Sequence, residues 1–158
     1  MKVKINKPLL IGSLALFTLI LFKAKKMFTE LDAKKAILNI KDKYGLEMAM
    51  LIEQMFRFET NHFKSLQYKK TGTAGLTVGK WPAPVPKSPT VTFKTNPALD
   101  SAGRSQIDYI VWNPAEFTEF LVNYIKRYNG NFGRWFSTDP EKQKAYINKV
   151  SQVKTRFV

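Results

Sequence analysis

Leu46-Glu47-Met48-Ala49-Met50-Leu51-Ile52-Glu53-Gln54-Met55-Phe56-Arg57-Phe58 is apolar around most of a helical circumference and runs directly into Glu59. From Thr60 to Leu99 the chain then carries six lysines and no Asp or Glu, with repeated Thr-Gly and Pro signals. A carboxylate that ends a buried helix and faces a basic, irregular segment reads as a proton donor overlooking a cleft. Ile52, Met55, Phe56 and Phe63 stand at helical spacing from Glu59 and are expected on its face. Apolar neighbours disfavour the ionised form and raise a carboxyl pKa, as a general acid working near neutral pH requires.

Around this stretch the pattern is mostly helical. Thr29 and Asp32 form a capping-box start, Leu31, Ala36, Ile37 and Ile40 supply an apolar stripe, and Gly45 stops that helix. Lys64 to Gly103 reads as loop with short strands at Thr90 to Phe93 and Gln106 to Trp112, and Trp81 to Pro86 reads as stiff and extended. Asn113-Pro114-Ala115-Glu116 opens a helix with Phe117, Phe120, Leu121, Tyr124, Ile125 and Tyr128 on one face, ending at Asn129-Gly130. Asp139-Pro140 opens a last helix with Tyr146, Ile147 and Val150 facing inwards. The expected fold class is mainly α (α+β): a helical domain with a small irregular β-lobe over residues 27–158, behind an N-terminal anchor over residues 1–26.

The anchor expectation rests on Pro8 to Phe22, an uncharged apolar run bounded by Lys2, Lys4 and Lys7 before it and Lys23, Lys25 and Lys26 after it. Bulk and charge stand where a signal peptidase needs small residues, so an uncleaved membrane helix is expected. The run is shorter than the ~20 residues of an ordinary span, a shortfall that snorkelling lysines can offset. Lysines on both sides leave its orientation open.

Composition narrows the chemistry. The 158 residues include no Cys and a single His, His62, which excludes disulfides, thiolate chemistry and a zinc cluster, so no metal or cofactor is expected. His62 itself reads as a surface or capping residue. The net charge of +14 is concentrated in residues 1–45, 60–95 and 120–158. Such a field favours an anionic partner: cell-wall polymer, lipid headgroup or nucleic acid.

Several segments resemble one family in the same order. Phe58-Glu59-Thr60-Asn61-His62-Phe63-Lys64-Ser65 resembles the run around the acid glutamate of the bacterial and phage endo-β-N-acetylglucosaminidases of the autolysin and flagellar-hydrolase group, within the lysozyme-like superfamily. Gly72 to Leu76 falls where that family turns into its β-lobe, and Tyr109 to Tyr128 is similar to its strand-to-helix segment. Trp135-Phe136-Ser137-Thr138-Asp139-Pro140, with Tyr146 and Lys149 beyond, resembles the family's G-Y-A-T-D-P-x-Y-A-x-K. Phe136 replaces the family tyrosine, and its N-N-L-F-G-I loop is not recognisable here. The resemblance implies a lysozyme-like fold, a glutamate at the junction of two lobes and a peptidoglycan glycan strand as substrate.

On that implication Glu59 is the general acid. Glycosidases commonly use a second carboxyl, and the spacing leaves Asp100 or Asp108, unless the substrate's own N-acetyl group assists or a lytic transglycosylase closes an anhydro ring with one glutamate. Sugars need aromatic faces, which Trp135, Tyr109, Tyr68 and Trp81 offer, with Trp135 preferred and Trp112 read as core. Thr71 and Thr73 are either positioning hydroxyls or turn residues. The expected protein is a membrane-anchored glycosidase facing the cell wall or periplasm, or set in a virion membrane, as a wall remodeller or phage entry enzyme. Two rivals stand beside it: an inactive lysozyme-like wall-binding protein, and a membrane-tethered nucleic-acid-binding protein, the less favoured of the two.

Overall fold

The computed structural model describes residues 27–76, 93–94 and 108–158, and within them the protein is mainly helical. Helix α1, Glu30–Tyr44, begins at the expected capping box: Thr29 Oγ1 accepts from the Asp32 amide, and the Asp32 carboxylate accepts from the Thr29 amide at 2.8 Å. Its buried stripe is Ala33, Ala36, Ile37 and Ile40. Leu31, expected on that stripe, is 58% exposed, because a helix that buries positions 33, 36, 37 and 40 turns position 31 away. Gly45, at φ 90°, ends α1, and α2 (Leu46–Glu59) starts at the next residue.

α2 is the central helix and packs against α1, α4 (Pro114–Arg127) and α5 (Pro140–Ser151). Phe56 lies in its last turn, with Phe63 and Tyr68 edge-on at 5.2 and 5.4 Å and Phe117 at 5.1 Å. Two of the buried residues of α2 are charged, which the apolar reading did not anticipate. Glu53 and Arg57 form an ion pair at 2.6 Å with almost no exposure. Both oxygens of Glu53 also accept from the C-terminal backbone, from the Arg156 and Phe157 amides. The Arg57 guanidinium lies over the rings of Phe63 and Phe157, which stack at 5.7 Å.

After Glu59 the helix does not continue. Asn61, His62 and Phe63 all adopt positive φ, and Thr60 Oγ1 holds the turn by accepting from the Phe63 amide. Each such residue costs about 1–3 kcal/mol, so the core must hold this turn in place. Phe63 is therefore buried, but by a left-handed reversal rather than by lying on the helical face of Glu59.

The expected loop beyond Lys64 contains a short helix, α3 (Leu66–Thr71). Ser65 caps it by accepting from the Tyr68 amide, and Gly72 ends it at φ 73°. Of the expected strands, residues 90–92 and 106–107 lie outside the described residues, and Ile110 to Trp112 are not strand. β1 (Phe93–Lys94) and β2 (Asp108–Tyr109) pair antiparallel, with Phe93 opposite Tyr109 and Lys94 opposite Asp108. Past Tyr109 the chain turns to the α3 end instead: the Ile110 amide donates to the Leu76 carbonyl and the Trp112 amide to the Thr71 carbonyl, each at 2.8 Å. Gly72 lies so close to the Trp112 carbonyl that any side chain there would collide with it.

α4 opens on Asn113 and Pro114 as expected, and its face of Phe117, Phe120, Leu121, Tyr124 and Ile125 is buried. A 3₁₀ turn, Phe132–Trp135, leads to α5, which Asp139 caps. Among the described residues no helix is long and apolar enough to cross a membrane. The apolar run Pro8 to Phe22 lies outside them.

Candidate active site

Glu59 closes α2 half-buried, and Tyr146 Oη of α5 donates to its Oε1 at 2.7 Å. Three aromatic rings fix that phenol. Phe58 meets it edge-on at 5.6 Å, Phe132 lies at 6.3 Å, and Phe136 stacks on it at 5.4 Å with the planes 3° apart. Phe136 is 61% exposed, so one face of its ring covers Tyr146 and much of the remainder meets solvent.

Burial raises the Glu59 pKa above its ordinary 4.5, and the Tyr146 hydrogen bond opposes the rise without cancelling it. Burial, and after it the neighbouring Glu59, push the Tyr146 phenol well above its usual range, so the phenol stays a donor. Oε1 is thus held by Tyr146, whereas Oε2 takes no hydrogen bond from the described residues. A carboxyl with one oxygen fixed and a raised pKa can present its proton from the other.

The remaining expected site residues divide three ways. Tyr68 is fully buried and donates to the Thr29 carbonyl at 2.6 Å, so its ring belongs to the core and offers no face to a ligand. Thr73 is fully buried too, exchanging hydrogen bonds with Thr71, Gln67 and the Ile110 carbonyl; both threonines build the turn after α3. Trp112 is core as expected. Trp135 is half-buried, its ring edge-on to Phe117, Phe120 and Tyr124, which makes it a satellite of the core beside α4 rather than a free platform. Tyr109 is half-buried on β2. Asp108 is placed by its backbone opposite Lys94, while Asp100 and Trp81 lie outside the described residues.

Two residues were missed as site residues. Tyr146 was read only as an inward core residue, and Phe136 only as a missing tyrosine. A signal existed for the first. The Asp139-Pro140 cap sets the register of α5 and puts Gln143, Tyr146 and Val150 on one buried stripe. A buried tyrosine hydroxyl needs a partner, and Glu59 was the carboxyl left at the end of a neighbouring helix.

Among the described residues no group of three or more His, Asp or Glu side chains could hold a metal ion. Compared with protein-family models, curated proteins and solved structures, the chain matches none. Its function must therefore be argued from the site itself.

Proposed function

We propose that the protein is a lysozyme-like peptidoglycan glycosidase in which Glu59 is the general acid. The observation that carries this reading is the half-buried Glu59 carboxyl, its pKa raised by burial and one oxygen tied to Tyr146. Tyr146 holds Oε1, and the proton on the other oxygen passes to the glycosidic oxygen as the bond to the anomeric carbon breaks. The positive charge that develops on the sugar is met by a second carboxylate, for which Asp108 and Asp100 are the candidates, or by the substrate's N-acetyl group. With a single glutamate, closure of an anhydro ring completes the alternative route. Phe136 supplies an exposed ring beside the acid on which a sugar can stack.

The basic surface draws such an enzyme to an anionic wall, and the apolar run at Pro8 to Phe22 tethers it to a membrane. Peptidoglycan zymography of the full chain tests the reading, with wild type beside Glu59→Gln and circular dichroism confirming that both fold. Clearing by wild type alone is expected, and product mass then distinguishes hydrolysis from anhydro-ring formation. Equal clearing by both proteins moves the acid away from Glu59. If neither folded protein clears a susceptible wall, the inactive wall-binding reading replaces this one.

A further inference from the structure

Phe58 of α2, the left-handed turn, the end of α5 and the C-terminal tail line an open concavity of about 500 Å³. Its walls bring together His62, Lys149, Lys154 and Arg156, with the Gln152 amide beside them and the Phe58 ring as an apolar side. The three cations Lys149, Lys154 and Arg156 come from the end of α5 and the tail, yet no acidic side chain lines the concavity and none pairs with them among the described residues. Gathering like charges is unfavourable unless an anion offsets it.

The backbone beneath Arg156 is fixed, because its amide donates to buried Glu53 at 2.7 Å. The Ser151 and Val153 carbonyls at the end of α5 would repel an anion, but both accept from the Gln54 amide and are engaged on the α2 side.

We propose that this concavity is a phosphate-binding site. One arginine and two lysines lining a single open concavity supply donors that suit a tetrahedral oxyanion with spread charge better than a lone carboxylate. Resting on the glycosidase reading for its source, the phosphate is that of a phosphodiester-linked anionic wall polymer, which the site holds while Glu59 faces the glycan. A nucleic acid would be served by a basic stripe rather than by one pocket.

The chain has a single His, so the His62 ring gives an unambiguous NMR reporter. Full-length protein is titrated with inorganic phosphate at constant ionic strength, chloride replacing it in the control. A saturable His62 shift is expected with phosphate only, weakened at least about tenfold in Lys149→Gln/Lys154→Gln/Arg156→Gln and retained in Glu59→Gln. No saturable shift, an equal shift with chloride, or an unaltered affinity in the triple variant overturns the site. Retention on walls carrying a polyol-phosphate polymer, against the same walls stripped of it, tests the source. Loss of retention on stripping supports the polymer, whereas equal retention, or displacement of phosphate by duplex DNA at lower concentration than by polymer, overturns that source. If Glu59→Gln still clears walls while the phosphate shift persists, the assignment of the acid fails and the phosphate site stands.

Discussion

Glu53 and Glu59 lie six positions apart on one helix, and the protein uses them in opposite ways. Glu53 is fully buried against the Arg57 guanidinium and two backbone amides of the C-terminal tail, so its oxygens are occupied from several sides. Glu59 has a phenol on one oxygen, no cation among its described partners, and a pKa raised by burial. The first holds the tail against the core. The second is left able to give up a proton. Residue type and helix are the same, and the difference is made by Arg57 one turn on and by the partners that distant segments bring.

The largest effect is expected from breaking the structural member. Glu53→Gln removes the buried partner of Arg57, leaving it only a 3.4 Å pair with the exposed Glu30, and should cost about 3–5 kcal/mol in urea unfolding. Replacing both partners together, Glu53→Met with Arg57→Met, should cost less than either single change, because no buried charge is then orphaned. A double variant as unstable as the sum of the singles would show that the two side chains are not coupled.

Glu59→Gln should do the reverse, lowering wall-clearing activity by about 10²-fold or more while the protein stays folded. Its thermal stability should carry a pH signature. A raised folded-state pKa gives a contribution that is fully present below the ordinary 4.5 and is lost as pH rises through the raised value. Wild type should therefore lose stability relative to Glu59→Gln as pH climbs above 4.5 and through the raised value, and a parallel pair of Tm–pH curves would show that Glu59 is not buried as described.

Tyr146→Phe removes the bond that lowers the Glu59 pKa, so that pKa rises further. The acid then stays protonated to higher pH, and the alkaline limb of the activity profile should move upward. The cost in stability should be about 1 kcal/mol. An unmoved limb would separate Tyr146 from the acid. The smallest effect belongs to the surface: Lys43→Ala breaks its 2.9 Å pair with Glu119, in which the lysine is well exposed, and should leave the unfolding midpoint almost unchanged.

Much of the helical fold was legible in the residues. Caps at Thr29, Asn113 and Asp139 satisfy amides within three positions, and Gly45 and Asn129-Gly130 mark helix ends, so these boundaries depend on neighbours that the sequence itself supplies. Errors arose where a distant contact decides. Leu31 faces solvent because α1 meets its neighbours through a different stripe. Phe63 reaches the core through a turn that its own sequence disfavours. Tyr68 and Thr73 are consumed by hydrogen bonds to segments nearly 40 positions away.

The site divides along the same line. The sequence by itself determined that a glutamate would close an apolar helix and that the molecule would be strongly basic, since both follow from local pattern and composition. Only the tertiary structure decided which phenol meets that glutamate, 87 positions along the chain, and which amides of the C-terminal tail occupy Glu53. It also decided that His62, Lys149, Lys154 and Arg156 share one concavity. A pKa depends on which groups lie within a few ångströms, and proximity between remote segments is set by how helices pack.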